Sequence, residues 1–206
     1  MKKLKGFDRA ERVGRMIRFR YTNGEPKLFA RVSGGLAWPT LEAPAYFTIF
    51  AQREEKNSFG KRPLIQVCEF EDIEGSVDSF FKQVKKAAEY FKARLIYGNV
   101  EDSAFYGKAK SYGLYMPQKL TGMNDFNYGL KIIKTWSNSG GIETMEDSIL
   151  RLQLSSLRES ELKEAPVKFN TINGLRFIVT GVDDREDGRP LSDSPLGGLD
   201  VEDMCV

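Results

Sequence analysis

The chain has 206 residues, 41% hydrophobic and 29% charged, with a net charge of +2; these globular proportions exclude collagen-like, disordered and coiled-coil readings of the whole. No apolar run approaches the ~20 residues that cross a bilayer, and MKKLKGFDRAERVGR lacks the apolar centre of a signal peptide, so a soluble, cytoplasmic protein without membrane contact is expected. There is no histidine, which removes Ser-His-Asp and Cys-His nucleophiles and any histidine-ligated metal and leaves carboxylates, lysines or hydroxyls for chemistry.

Residues 1–20 carry eight bases (Lys2, Lys3, Lys5, Arg9, Arg12, Arg15, Arg18 and Arg20) against Asp8 and Glu11, a local charge of +6. The segment reads either as a phosphate-contacting arm that binds nucleic acid by releasing counterions, or as a solvated terminal face. Ile17, Phe19 and Tyr21 alternate with Arg18 and Arg20, and Asn23-Gly24 offers two positive-φ positions, so a hairpin should lead into a strand over 27–33. Two glycines and two prolines make 33–44 a loop. Strands are expected at 45–52 and 63–71, completing an antiparallel meander. In the turn between them Gly60-Lys61-Arg62 lacks the upstream glycine and the hydroxyl of a phosphate loop, and no G-x-G-x-x-G occurs, so nucleoside-triphosphatase and dinucleotide readings fall. Cys68, within the last strand, and Cys205 are too few for a disulfide framework or a zinc site and are expected as free thiols.

Ser76 should cap a helix, because Val77, Phe80, Phe81, Val84, Ala88 and Phe91 form one apolar stripe opposite Lys82, Lys85, Lys86, Glu89 and Lys92. That lysine face is either a phosphate path or simply solvated. A short strand follows at 94–98, and strand, helix, strand implies a parallel crossover. Asp102 or Ser103 should cap a second helix ending at Gly113, with an extended piece over 114–120 beyond it. Asp125 should cap a third, carrying Tyr128, Ile132, Ile133 and Trp136, and residues 143–158 should form a fourth. The segment 167–182 fits a hairpin about Asn173-Gly174 or a helix lined by Ile172, Leu175, Phe177, Ile178 and Val182. Residues 183–206 hold eight acids against Arg185 and Arg189, a local charge of −6. From Arg185 the composition is that of a disordered tail, one that could dock a protein partner through Leu199, Val201 and Met204.

Antiparallel strands, a helix, a parallel strand and then mainly helices is an α/β order that resembles the RNase H-like nuclease domain of phage terminase large subunits: a mixed sheet, meander plus parallel strand, flanked by helices. The resemblance rests on that layout and on three segments. RVSGGLAWP resembles a first strand ending in an acid, LIYGNVEDSAFYGKAKSYGL a strand ending in an acid before a helix, and FNTINGLRFIVTGVDD a closing helix bearing an acid. It divides the chain into a basic segment with the first hairpin strand (1–26), the α/β domain (27–184) and the acidic tail (185–206). It also implies the DNA-processing and packaging role of a phage or mobile element. Two hard cations, Mg²⁺ or Mn²⁺, held by carboxylates would drive phosphodiester hydrolysis. Carried over, Glu101 or Asp102 is the acid after the parallel strand and Asp183 or Asp184 the closing one. The first-strand acid is absent, since Arg31, Val32, Ser33 and Gly34 stand there. Glu69 and Glu71, two apart on a strand, would share a face and could substitute. The expected catalytic set is Glu69, Glu71 and Asp102, the metal set Glu101, Asp102 and Asp183, and the nucleic-acid set the eight bases of 1–20. The alternative is a degenerate copy of the fold that needs no cofactor and binds nucleic acid or protein.

Overall fold

The structure, a computed structural model, describes residues 1–72, 75–117, 123–156, 158, 160–161 and 168–186, with side chains omitted for 123–125 and 183–186. Six strands, β1 (Lys2–Lys3), β2 (Phe7–Val13), β3 (Met16–Tyr21), β4 (Gly24–Ala37), β5 (Tyr46–Arg53) and β6 (Leu64–Glu71), pair antiparallel in the order β1-β6-β5-β4-β3-β2. β7 (Leu95–Gly98) runs parallel to the second half of β4, Ser33 opposite Leu95 and Leu36 opposite Gly98. The two-residue β8 (Ile142–Glu143) pairs with the start of β6. The helices are α1 (Val77–Phe91), α2 (Ser103–Ser111), α3 (Met123–Asn138), α4 (Ile149–Ser156) and α5 (Asn170–Glu186).

The sheet separates two cores. On one face Phe80, Phe81, Val84 and Phe91 of α1 pack with Phe7, Phe19, Phe29, Phe47 and Phe70; on the other, α3, α4 and α5 bring Trp136, Leu150, Leu175 and Ile178 against Ala37, Phe50 and Leu64. Ser76 caps α1, accepting from the Ser79 N–H at 3.4 Å, and Lys92 closes it in the left-handed conformation at φ 60°. β1 and β2 lie at opposite edges of the sheet although only Leu4, Lys5 and Gly6 separate them. Four residue steps reach ~14 Å at most, so the sheet curls around α1 until its edges nearly meet.

Four expectations are corrected. The basic segment is not an arm: residues 7–13 are a sheet strand, and a register shift between Phe7 and Arg9 breaks the alternation that would have revealed it. The hairpin turn is Thr22-Asn23, closed by Tyr21 opposite Gly24, without positive φ at Asn23 or Gly24. Residues 33–37 are strand, not loop: a Cβ on Gly34 would lie 2.7 Å from Ile96 and Phe47, and one on Gly35 2.0 Å from the Gly174 carbonyl oxygen. These glycines answer close packing, not a turn. Residues 143–158 are not one helix, because Ile142–Glu143 pairs with β6 and the helix starts only after Ser148. The segment 170–186 is helical. Residues 118–120 of the extended piece and the tail from 187 onward lie outside the described residues.

Candidate functional site

Glu69 sits at the centre of a buried polar cluster on the α4 side of β6. Gln66 joins it although three residues away, because a register irregularity at Ile49/Phe50 puts one extra β6 residue between them and restores both to one face. The Glu69 carboxylate is fully buried. Its Oε1 accepts from the Ile149 N–H at 2.7 Å; Oε2 accepts from the Tyr46 hydroxyl at 2.8 Å, Gln66 Nε2 at 3.0 Å, the Ser148 hydroxyl at 2.9 Å and the Leu150 N–H at 3.4 Å. Ser148 in turn caps α4 by accepting from the Arg151 N–H, and the Met145 N–H donates to Gln66 Oε1. A strand carboxylate thus serves the N-terminal N–H groups, which lack a partner within the helix, of a helix distant in sequence, where the helix dipole favours a negative charge. Burial, followed by the Glu69 charge, holds the Tyr46 phenol well above its ordinary range. Strand alternation gave no sign of Gln66, because the irregularity hides the face it shares with Glu69, and Ser148 lies on no strand but just before α4.

The other expected site residues are dispersed. Glu71, half-buried at the end of β6, has its carboxyl raised by burial and then by the Glu69 charge, against the lowering influence of Lys2. Asp102 caps α2: its Oδ1 accepts from the Ala104 and Phe105 N–H groups, each at 3.1 Å. Glu101 is exposed beside it. Asp183 lies near the end of α5, its side chain outside the described residues. No three Asp, Glu or Cys side chains gather as a metal-holding group among the described residues.

β4, β7 and α5 converge on a close-packed contact instead. Gly35 faces Gly174 and Ile178, the Tyr97 ring lies where a Cβ of Gly181 would be, and Gly174 abuts the Tyr46 ring. Asn170 secures the start of α5 by donating to the Trp38 and Pro44 carbonyls at 2.8 and 2.7 Å. The Ser33 hydroxyl is buried beside this contact without a hydrogen-bond partner among the described residues.

The eight bases part company. Lys2, Lys3 and Lys5 follow β1 to the β6 edge, where Lys2 donates to the Asp147 carbonyl, Lys3 lies over the Tyr90 ring and Lys5 pairs with Glu146 at 3.4 Å. Arg9, Arg18 and Arg20 share one face of the β2–β3 hairpin, Arg9 opposite Arg20 and Glu11 opposite Arg18. Glu11 accepts from Arg20 at 2.9 Å and Arg18 at 3.3 Å, and the Arg20 bond above all lowers its carboxyl below the usual range. Arg12 points to the other face, and Arg15 is in the tight turn beside Gly14, whose φ is +59°.

This is the RNase H-like α/β fold of terminase nuclease domains. The large terminase nuclease from thermophilic phage G20c with bound zinc matches at a TM-score of 0.56 and 10% identity, over 84% of this chain and 91% of that one. The large terminase nuclease domain of bacteriophage SPP1 with bound Mn matches at 0.56 and 15%, over 75% and 88%. The large terminase of another thermophilic bacteriophage matches at 0.56 and 11%, over 75% of this chain and 40% of that one. No family model matches the sequence, and neither does any curated protein.

A divalent metal pair needs several carboxylate oxygens free to turn toward it. Among the described residues the candidate ligands do not fit that requirement. Both Glu69 oxygens are already engaged by donors, an Asp102 oxygen is spent on a helix cap, and glycines and an aromatic ring fill the meeting of β4, β7 and α5.

Proposed function

We propose that this chain is a non-cleaving, nucleic-acid-binding module on a terminase-nuclease fold, serving DNA processing of the phage or mobile-element kind. The observation that carries the reading is the missing first-strand carboxylate: where the resemblance calls for one, β4 has Arg31, Val32, Ser33 and Gly34. Glu69, the residue that could substitute, has both oxygens engaged by five donors and so is not free to turn toward a cation. Nucleic acid as partner is supported by Arg9, Arg18 and Arg20 on one sheet face, where three guanidiniums exceed the single carboxylate of Glu11 and can contact successive phosphates.

The test is to incubate the purified chain with duplex and single-stranded DNA, with Mg²⁺ or Mn²⁺, and to follow binding by fluorescence anisotropy and cleavage by denaturing gel. Binding that weakens steeply with salt, without strand scission, is the expected result. Metal-dependent cleavage that co-purifies with the chain through successive columns overturns it, as does failure to bind either form of DNA at low salt.

A further inference from the structure

A second basic surface lies on the other face of the same hairpin. Where α1 ends and β7 begins, a cleft of about 400 Å³ opens between Arg12 of β2, Lys85 and Glu89 of α1, its C-cap Lys92, Arg94, and Tyr115. Its floor is apolar and buried, including Ile96; the four cations and Tyr115 are exposed. Backbone bonds fix its walls: the Ala93 N–H donates to the Ala88 carbonyl at 2.8 Å, and the Ile96 N–H to the Tyr115 carbonyl at 3.0 Å. Lys85, Lys92 and Arg94 pair with no carboxylate, and the Tyr115 ring and hydroxyl have no partner, among the described residues. Four cations and Glu89 give the cleft a net +3, which outweighs the roughly half negative charge of the α1 C-terminus.

We propose that this cleft binds single-stranded nucleic acid, with phosphates on Lys85, Lys92, Arg94 and Arg12 and a base stacked on Tyr115; the proposal rests on the nucleic-acid-binding reading above. Phosphate alone would need only the cations. The exposed, unpartnered ring among them distinguishes a strand from an acidic protein segment, because a base has a π-face to stack and a carboxylate has none. A duplex keeps its bases paired and stacked away from such a ring, so the single strand is the form that uses every feature present.

The test uses the full chain, a fluorescein-labelled thymidine 20-mer and the matching duplex. Lys85→Ala/Arg94→Ala should weaken single-strand binding at least tenfold and flatten its salt dependence by ~1.4, at ~0.7 for each phosphate no longer neutralised. Tyr115→Ala should weaken it about tenfold while Tyr115→Phe keeps it. In parallel, lysine acetylation of the unaltered chain, read by mass spectrometry, should show Lys85 and Lys92 protected by the 20-mer. If the unaltered chain binds DNA but the double variant binds the 20-mer equally well, the cleft proposal falls and the module reading stands. If the unaltered chain binds no nucleic acid, both fall. If Lys85 and Lys92 are already protected without the 20-mer, a segment of the chain itself fills the cleft and the single-strand proposal is wrong.

Discussion

Glu69 carries a buried charge with no paired cation among the described residues, held by five donors instead. Glu69→Gln removes the charge, and whichever way the amide turns, its NH₂ meets an N–H or a hydroxyl proton. Leaving buried donors unmatched costs ~1–3 kcal/mol each, so the variant should lose about 2–4 kcal/mol, read as a lower urea midpoint at unchanged slope. A Glu69 serving as an exchangeable metal ligand would lose metal affinity and keep its midpoint. Glu71 behaves oppositely. Its carboxyl is raised in the folded chain by burial and by Glu69, so the native state binds more protons than the unfolded state above the ordinary value of 4.5. Stability therefore falls as pH rises from 4.5 through the raised value. Glu71→Gln should raise the melting temperature at neutral pH, and the gain should vanish below pH 4.5, as thermal melts across pH would show. Glu11 and Asp78 are lowered instead, by hydrogen bonds to Arg20 and to Lys108; their contribution is present at neutral pH and is lost as pH falls through those lowered values.

β4 shows best how element reading divided into what was legible and what was not. Its partners were readable: strands with alternating or continuous β-branched and aromatic residues, and an α1 stripe that matches the buried Phe80, Phe81, Val84, Ala88 and Phe91. Its own second half was not, because glycine lowers strand propensity wherever it occurs and the reason for Gly34 and Gly35 lies on β5, β7 and α5, far away in sequence. The same holds for α4, whose start is set by a β6 carboxylate. Sequence alone could nominate Glu69 as a functional acid, yet nothing local announced the donors that enclose it. Gly35→Ala tests the point directly. An added methyl at 2.0 Å from the Gly174 oxygen forces α5 off the sheet, and overpacking of this kind costs ~3 kcal/mol or more. Gly174→Ala, which meets the Tyr46 ring at 2.9 Å, should cost less because a ring edge can shift. Urea unfolding of both variants should rank them in that order.

The curl of the whole sheet decides what the basic N-terminal sequence can be. A free arm could be deleted with its charge and leave the fold intact; β2 cannot. Phe7 packs with Phe19, Tyr90 and Phe91 at ring-centroid distances of 4.9, 5.3 and 4.7 Å, and the Tyr90 hydroxyl donates to the Asp8 carbonyl at 2.7 Å. Deleting residues 1–13 strips the β3 edge and uncovers the end of α1, so the truncated chain should lose its cooperative thermal transition and aggregate through the exposed strand. Any loss of DNA binding in that truncation reports unfolding. Charge is separable from structure only by substitution. Arg9→Ala/Arg18→Ala/Arg20→Ala leaves every buried contact in place and removes only partly exposed ion pairs to Glu11, which solvent screens. Its melting temperature should stay within a few degrees of the unaltered chain, while its duplex affinity falls and the salt dependence flattens by up to ~2.7, at ~0.9 for each phosphate no longer neutralised. Unchanged duplex binding in a folded triple variant would show that this face of the hairpin does not carry the contact.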